Sequence, residues 1–255
     1  MKYIRTSILF IIGLFCSSFI IPVQQKTNVF LVGDSTVCLY PSSRAPLTGW
    51  GMPFADYFDT SVVVSNFAKG GRSTKTFLAE NLWKPVIDSL RAGDYVLIQF
   101  GHNDEAKQPE FAARYTPAND YRKNLTRMIT DVRSKGGIPI LITPVSRMRF
   151  DKNGDALETH LEYTAAAIEV GRQSQTPVIN LDEKSRALFQ KLGPEITAQL
   201  FMTLDALEHP NYPQGSHDNT HFNEYGARRI AELVLRDLQE KHIGLSDRML
   251  KGRIN

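Results

Sequence analysis

The sequence predicts an α/β protein in which helices cover both faces of a parallel sheet. Short apolar segments rich in β-branched residues alternate with helix-forming segments along the chain. These apolar segments have few polar interruptions, as expected for strands that are buried on both faces. The 255 residues contain no internal repeat, low-complexity tract or linker, so we expect one domain.

Five apolar segments are predicted to be strands of this sheet. Each is short and is followed by a segment of different character, which is the pattern of strands joined by helices. In chain order they are Val29–Val32, Val62–Ser65, Tyr95–Phe100, Ile138–Thr143 and Pro177–Asn180.

Helical segments lie between and after these strands. The clearest is Pro117–Ser134, where a proline suits the first turn and Gly136-Gly137 ends the helix. There and in Asn223–Lys241, apolar residues recur at helical spacing along one face. The predicted helices are Gly51–Phe58, Lys75–Ser89, Pro117–Ser134, Thr159–Gln173, Glu183–Lys191, Glu195–Thr203 and Asn223–Lys241.

Residues 1–25 are predicted to be a signal peptide, and residues 26–255 the folded domain. Lys2 and Arg5 precede an apolar run of about 14 residues, which is short for a helix that spans a bilayer. We therefore expect export to the periplasm or the cell exterior, with no membrane span in the mature domain.

The cysteine count restricts the chemistry of the mature domain. Cys16 lies in the predicted signal peptide, and the bulky Phe15 before it disfavours lipidation and hence a lipid anchor. Cys38 would then be the only thiol, which excludes an internal disulfide and a cysteine-based zinc cluster. Its position three residues after Ser35 makes it an alternative nucleophile, although a small buried hydrophobe is its more common role.

The charge balance argues against a polyanionic partner. The chain carries 30 lysines and arginines against 27 acidic residues, a formal charge of +3. Removal of Lys2 and Arg5 leaves 28 basic residues and a charge of +1. A nearly neutral domain is not expected to bind nucleic acid or an anionic membrane.

Four polar motifs lie where a site is expected. Three follow predicted strands directly, and the carboxyl ends of parallel strands meet at one edge of a sheet. The fourth precedes the last helix and can reach that edge if this helix packs beside the first strand. The motifs are Gly33-Asp34-Ser35-Thr36, Asn66–Ser73, Gly101-His102-Asn103-Asp104 and Asp218-Asn219-Thr220-His221.

These motifs contain the parts of an acyl-transfer site. Ser35 becomes a nucleophile when a base takes its proton, and His221 is the expected base. Asp218, three residues earlier, would orient the imidazole through a turn at the helix start. His217 competes with His221 because it also neighbours Asp218.

A tetrahedral intermediate also needs hydrogen-bond donors that face its oxyanion. The backbone N–H groups of Ser35 and Gly71 and the side-chain amide of Asn103 are suitable. Because Gly70 and Gly71 are adjacent, the assignment of the glycine donor stays open by one residue.

The motifs resemble the four blocks of the SGNH (GDSL-type) hydrolase superfamily, whose residues correspond here to Ser35, Gly71, Asn103 and His221. Across the mature chain the sequence is most similar to the rhamnogalacturonan acetylesterases of carbohydrate esterase family 12. The shared segments are Gly-Asp-Ser-Thr, Ala-x-x-Gly-Arg-Ser, Gly-Asp-Tyr-Val, Phe-Gly-His-Asn-Asp and Asp-x-Thr-His.

The resemblance implies a flavodoxin-like, three-layer α/β/α sandwich on a five-stranded parallel sheet, with no metal or organic cofactor. It implies Ser35, Asp218 and His221 as the catalytic residues. It also implies an oxyanion hole of Ser35, Gly71 and Asn103, in which Gly71 is preferred because it directly precedes Arg72-Ser73.

Three further residues are candidates for substrate binding. Arg72 could contact the carboxylate of a uronic acid, with surface solvation as the alternative. Trp50 could stack on a sugar ring or pack in the core. His102 is expected near Asn103, with a structural or substrate-binding role rather than that of a base.

We therefore expect an exported serine esterase that removes acetyl groups from an acetylated plant polysaccharide or oligosaccharide, with rhamnogalacturonan favoured. An acetylxylan esterase or a lipase or thioesterase of the same superfamily is the first alternative. Polar loops such as 147–155 favour a carbohydrate over a lipid. The second alternative is a catalytically inactive carbohydrate-binding protein.

Overall fold

A computed structural model describes residues 26–253, in which five parallel strands form one sheet between layers of helices. The spatial order of the strands is 2-1-3-4-5, and all four pairings are parallel. The predicted fold class and all five predicted strands are confirmed. The strands are β1 Thr27–Gly33, β2 Val62–Asn66, β3 Tyr95–Gln99, β4 Ile138–Ile142 and β5 Val178–Ile179.

Six α-helices occupy the described part of the chain. They are α1 Thr74–Ala79, α2 Trp83–Ser89, α3 Ala118–Ser134, α4 Leu161–Ser174, α5 Leu181–Ala198 and α6 Glu224–Glu240. The single helix predicted over Lys75–Ser89 is wrong, because the chain breaks at Asn81, where φ is 59°, and continues as a second helix. The segment predicted as a helix at Gly51–Phe58 is a 3₁₀ turn at Pro53–Tyr57.

Alternating side chains of β1 divide the core into two layers. Val29 and Leu31 pack in the cluster that includes the buried face of α6, whereas Phe30 and Val32 pack in the cluster that includes α3 and α4. All four side chains are buried. Burial on both faces explains why this strand is a continuous apolar run in the sequence.

A two-stranded antiparallel sheet lies beside the main sheet and was not predicted. It consists of β6 Phe201–Leu204 and β7 Ser216–Phe222. The helix predicted over Glu195–Thr203 is therefore wrong at its end, since α5 stops at Ala198 and β6 follows. Asp218 and His221 lie on β7 rather than in a turn at a helix start.

The predicted signal peptide, residues 1–25, lies outside the described residues. Among residues 26–253, no helix is both long enough and apolar enough to cross a membrane.

The start of α6 is docked on the segment that leads into β6. Asn223 caps the helix by accepting a hydrogen bond from the Gly226 N–H at 2.9 Å, and its amide donates to the Gln199 carbonyl at 2.7 Å. A Cβ at Gly226 would lie 1.9 Å from the backbone oxygen of Leu200. The close approach of two backbones therefore requires glycine here, four residues beyond the end of β7.

Replacement of Gly226 by alanine is expected to lower the free energy of unfolding by about 3 kcal/mol, because backbone atoms must move apart to relieve the clash. Urea denaturation of the purified variant measures this change. Tyr225→Ala is the matched control, since this neighbouring side chain is 61% exposed and its loss should change stability by less than about 0.5 kcal/mol. Equal stabilities of the two variants would contradict the prediction.

Candidate active site

Ser35 lies in a tight turn directly after β1, at the carboxyl edge of the sheet. The buried Asp34 carboxylate accepts hydrogen bonds from the Thr36 N–H at 2.9 Å and from the Thr36 hydroxyl at 2.8 Å. The neighbouring residues are buried, whereas Ser35 is partly exposed. The turn therefore presents the Ser35 side chain on a rigid backbone.

A chain of buried hydrogen bonds supports this turn from behind. The Trp50 indole N–H donates to the Gln99 side-chain oxygen at 2.8 Å, and the Gln99 amide donates to the Thr36 hydroxyl at 2.6 Å. Trp50 is 1% exposed and packs edge-on against Phe54. The prediction that Trp50 stacks on a sugar is wrong, because a ring enclosed in the core cannot reach a ligand.

The structure brings Ser35, His221 and Asp218 together. The Ser35 Oγ lies 2.8 Å from His221 Nε2, and His221 Nδ1 lies 2.6 Å from Asp218 Oδ2. The other Asp218 oxygen accepts the N–H groups of Thr220 at 2.8 Å and His221 at 3.0 Å. The alternative base, His217, is exposed on β7, the strand that also carries His221. It lies opposite Thr203 of the neighbouring strand β6.

Local bonding holds Asp218 in its charged form. Burial raises the pKa of this carboxyl, but hydrogen bonds from the His221 ring and from the Thr220 and His221 N–H groups outweigh burial and hold the pKa below its usual value. A carboxylate at Nδ1 favours the imidazole tautomer protonated there. Nε2 is then free to accept the proton of Ser35.

The second and third motifs lie beside Ser35. A Cβ at Gly70 would lie 3.7 Å from the Ser35 Cβ and 3.8 Å from the Cys38 sulphur. Gly71 has a φ of 78°, a conformation that glycine adopts without strain. The buried Asn103 amide donates to the Arg72 carbonyl at 3.0 Å, which ties the two motifs together.

Cys38 is placed behind the Ser35 turn rather than in front of it. Its thiol is buried and lies 3.7 Å from the Ser35 carbonyl oxygen. Burial raises the pKa of the Cys38 thiol, so the reactive thiolate form is disfavoured. The geometry and the protonation state both argue against the alternative in which Cys38 is the nucleophile.

Arg72 lies near the site, but its guanidinium is engaged within the protein. Nε donates to Glu80 at 2.9 Å, and Nη1 donates to the Gly70 carbonyl at 3.0 Å. To bind a substrate carboxylate as predicted, Arg72 would have to give up its ion pair with Glu80.

A polar cleft of about 590 Å³ lies between the segments 102–114 and 147–163, and His102 is one of its lining residues, whereas Ser35, Asp218 and His221 do not line it. His102 is 5% exposed, and its ring lies 4.3 Å from that of His160, centroid to centroid. Burial, together with the nearby His160 and Arg147, lowers the pKa of His102 well below its ordinary value. His102 is therefore neutral, and its burial in the wall of the cleft is consistent with a structural role.

Sequence analysis missed the residues that join this cleft to β7. Arg147 donates to Thr220 Oγ1 at 2.5 Å and to Glu105 at 3.2 Å, and Glu105 in turn contacts His160 Nδ1 at 2.8 Å. The only sequence signal was position, because Glu105 follows the third motif and Arg147 follows β4. Among the described residues, no cluster of three or more His, Cys, Asp or Glu side chains is arranged to hold a metal ion.

Comparison with known proteins agrees with this architecture. Residues 31–229 match the GDSL-like Lipase/Acylhydrolase family. The chain is 39% identical over 228 residues to rhamnogalacturonan acetylesterase RhgT of Bacillus subtilis (strain 168), an alignment that covers 89% of this chain and 96% of the relative. It is 35% identical to probable rhamnogalacturonan acetylesterase YesY of the same organism, with 90% and 100% covered.

Solved structures share the fold. The crystal structure of protein YxiM from Bacillus subtilis superposes with a TM-score of 0.74 at 27% identity, covering 86% of this chain and 58% of that one. Axe2, an acetylxylan esterase from Geobacillus stearothermophilus, superposes with a TM-score of 0.61 at 15% identity, covering 84% and 94%.

Proposed function

The chain belongs to the GDSL-like lipase/acylhydrolase family and is a carboxylic ester hydrolase, and we propose that it removes O-acetyl groups from rhamnogalacturonan through an acetyl-serine intermediate. One observation carries the chemistry: the Ser35 hydroxyl lies 2.8 Å from His221 Nε2, whose ring lies 2.6 Å from Asp218. An inactive carbohydrate-binding protein would not need this contact.

In the first half of the reaction, Ser35 Oγ attacks the carbonyl carbon of the acetyl ester and its proton passes to His221 Nε2. The tetrahedral intermediate collapses, the bond to the sugar oxygen breaks, and His221 returns the proton to that oxygen. In the second half, His221 takes a proton from water, which attacks the acetyl-serine. Collapse then releases acetate and restores the Ser35 hydroxyl.

The negative oxygen of each intermediate needs donors that are already in place. The Ser35 and Gly71 N–H groups and the Asn103 amide are the proposed donors. An amide nitrogen carries two hydrogens, so Asn103 can hold the Arg72 carbonyl with one and face the oxyanion with the other. Each such donor is worth about 3–4 kcal/mol of transition-state stabilisation.

The substrate assignment is supported by the two Bacillus subtilis relatives, which align over nearly their whole length and carry rhamnogalacturonan acetylesterase in their names. The likeness to the acetylxylan esterase, at 15% identity, concerns the fold alone. The polar lining of the cleft that contains His102 and Arg114 favours a carbohydrate over a lipid.

Export of the protein is part of the same proposal, because a polysaccharide substrate lies outside the cell. The basic start and apolar run of residues 1–25 support it. Fractionation of cells that express the full chain tests it, and recovery of the protein only in the cytoplasm, at a mass that still includes these residues, would contradict it.

A substrate panel tests the function. We expect the purified domain to release acetate from acetylated rhamnogalacturonan at least about tenfold faster than from acetylated xylan at equal acetyl concentration, because enzymes discriminate through contacts made in the transition state. Hydrolysis of p-nitrophenyl acetate is the control for an intact catalytic centre. Equal or reversed rates on the two polymers would contradict the substrate assignment and leave the esterase chemistry standing.

A further inference from the structure

Most charges of the polar cleft lined by His102 are already paired. Arg147 contacts Glu105 at 3.2 Å, and Lys107 contacts Glu162 at 3.6 Å. Of the two histidines in its wall, His102 is neutral and His160 shares Glu105 with Arg147. One cationic residue of the cleft lies outside all of these contacts.

Arg114 is that residue. It lines the cleft, and none of the ion pairs in residues 26–253 includes its guanidinium. Its Nε is buried without a hydrogen-bond partner in the described part of the chain. No protein acceptor in the described part of the chain holds this guanidinium, so the nitrogens that reach the cleft can bind a ligand anion.

The side chain is held in place before any ligand arrives. The Arg114 Cζ lies 3.9 Å from the centre of the Phe111 ring, a cation–π contact. The backbone is fixed as well, because the Arg114 N–H donates to the Phe111 carbonyl at 2.9 Å and its own carbonyl accepts the Thr116 hydroxyl at 3.1 Å. Thr116 N–H in turn donates to the Asp104 carbonyl at 2.9 Å, within the loop that carries Asn103. A prepositioned guanidinium loses little freedom on binding.

Arg114 also lies close to the reacting group. Its Nη1 is 3.9 Å from the position that a Cβ would take at Gly71, and the preceding glycine packs against Ser35. The glycine turn thus separates Ser35 from Arg114. A cleft of about 590 Å³ is large enough to accommodate a sugar residue.

We propose that Arg114 binds the carboxylate of a uronic acid residue of the bound polymer, and so selects an acidic polysaccharide. This inference rests on the proposed function and names the residue that reads the acid. It replaces the sequence-based candidate Arg72, whose guanidinium is held by Glu80 and the Gly70 carbonyl. Arginine suits the task because its planar fork can donate two parallel hydrogen bonds to a carboxylate.

The test compares two forms of one substrate. Acetylated rhamnogalacturonan is used as it is and with its carboxylates converted to uncharged amides, and the readout is the ratio of kcat/KM for the acidic form to kcat/KM for the amidated form. We expect a ratio of at least about ten for the unaltered enzyme, a ratio near one for Arg114→Gln, and an intermediate ratio for Arg114→Lys. NaCl should lower the ratio for the unaltered enzyme only.

Arg91→Gln is the matched control. Arg91 is an exposed arginine before β3, at the opposite edge of the sheet, so this variant should keep the original ratio. If circular dichroism shows that the Arg114 variants are misfolded, inhibition of the unaltered enzyme tests the proposal instead. The deacetylated acidic polymer should inhibit its hydrolysis of p-nitrophenyl acetate at concentrations where the amidated polymer does not.

The outcomes separate the two proposals. A ratio unchanged in Arg114→Gln, or a ratio near one in the unaltered enzyme that still deacetylates the polymer, overturns the role of Arg114 and leaves the proposed function standing. Hydrolysis of p-nitrophenyl acetate without release of acetate from either polymer overturns the proposed substrate, and the role of Arg114 falls with it.

Discussion

Replacement of Ser35 by alanine is expected to lower kcat for p-nitrophenyl acetate by roughly a millionfold, the effect of removing a nucleophile in hydrolases of this type. The reason is geometric, because the Ser35 Oγ is the hydroxyl that contacts His221 Nε2, at 2.8 Å. Without it, His221 has no alcohol to activate, and no acetyl-enzyme can form. Residual activity would come from the oxyanion donors acting on a water molecule.

Release of p-nitrophenol, followed with substrate in excess, measures this loss. Cys38→Ala is the matched control, since it removes the other candidate nucleophile three residues away, and we expect it to keep activity within about tenfold. The control separates a serine mechanism from a thiol mechanism. Loss of activity in Cys38→Ala with survival in Ser35→Ala would contradict the assignment. Circular dichroism of both variants shows whether the fold is intact.

Replacement of His221 by alanine is expected to lower kcat by a similar factor, because the nucleophile and its base act as a unit and their losses do not add. The double variant Ser35→Ala/His221→Ala should therefore be no less active than either single variant. His221 is placed for this role by contacts at both ring nitrogens, 2.8 Å to Ser35 and 2.6 Å to Asp218.

His217→Ala provides the comparison for that experiment. His217 lies on β7, next to Asp218, but it is exposed and pairs with Thr203 on the neighbouring strand. We expect this variant to keep kcat within about threefold, as for other surface substitutions. If His217→Ala is the variant that loses activity, the base has been assigned to the wrong imidazole. Measurement of both variants at the same pH decides between them.

The parallel sheet could be predicted because its signal is local. Each strand contains a run of apolar residues, and a glycine followed by polar residues comes at the end of β1 and just after β3, at Gly33 and Gly101. The parallel arrangement then brings those ends to one edge. The second sheet gave no such signal, because β7 runs Ser-His-Asp-Asn-Thr-His before its one buried residue, Phe222. Its strand conformation depends on pairing with β6.

Substrate-binding residues were harder to predict, because residue type does not reveal what a side chain contacts. Trp50 has the shape to stack on a sugar, yet its N–H bonds to Gln99, 49 positions away, inside the core. Arg72 has the charge to bind an acid, yet it contacts Glu80 one helix away. Arg114 has the same charge and lies near Gly71, and it has no ion-pair partner in the described part of the chain.

The sequence by itself determined the layered α/β architecture and supplied the serine, histidine and aspartate, because strand periodicity and short motifs are written in neighbouring residues. Only the tertiary structure decided that β7 carries His221 to Ser35, across 186 positions of the chain. It also decided that Trp50 is enclosed in the core and that Arg72, unlike Arg114, is engaged in an ion pair. Burial and ion pairing are settled by groups that folding brings together from distant positions, so a pattern of neighbouring residues does not contain them.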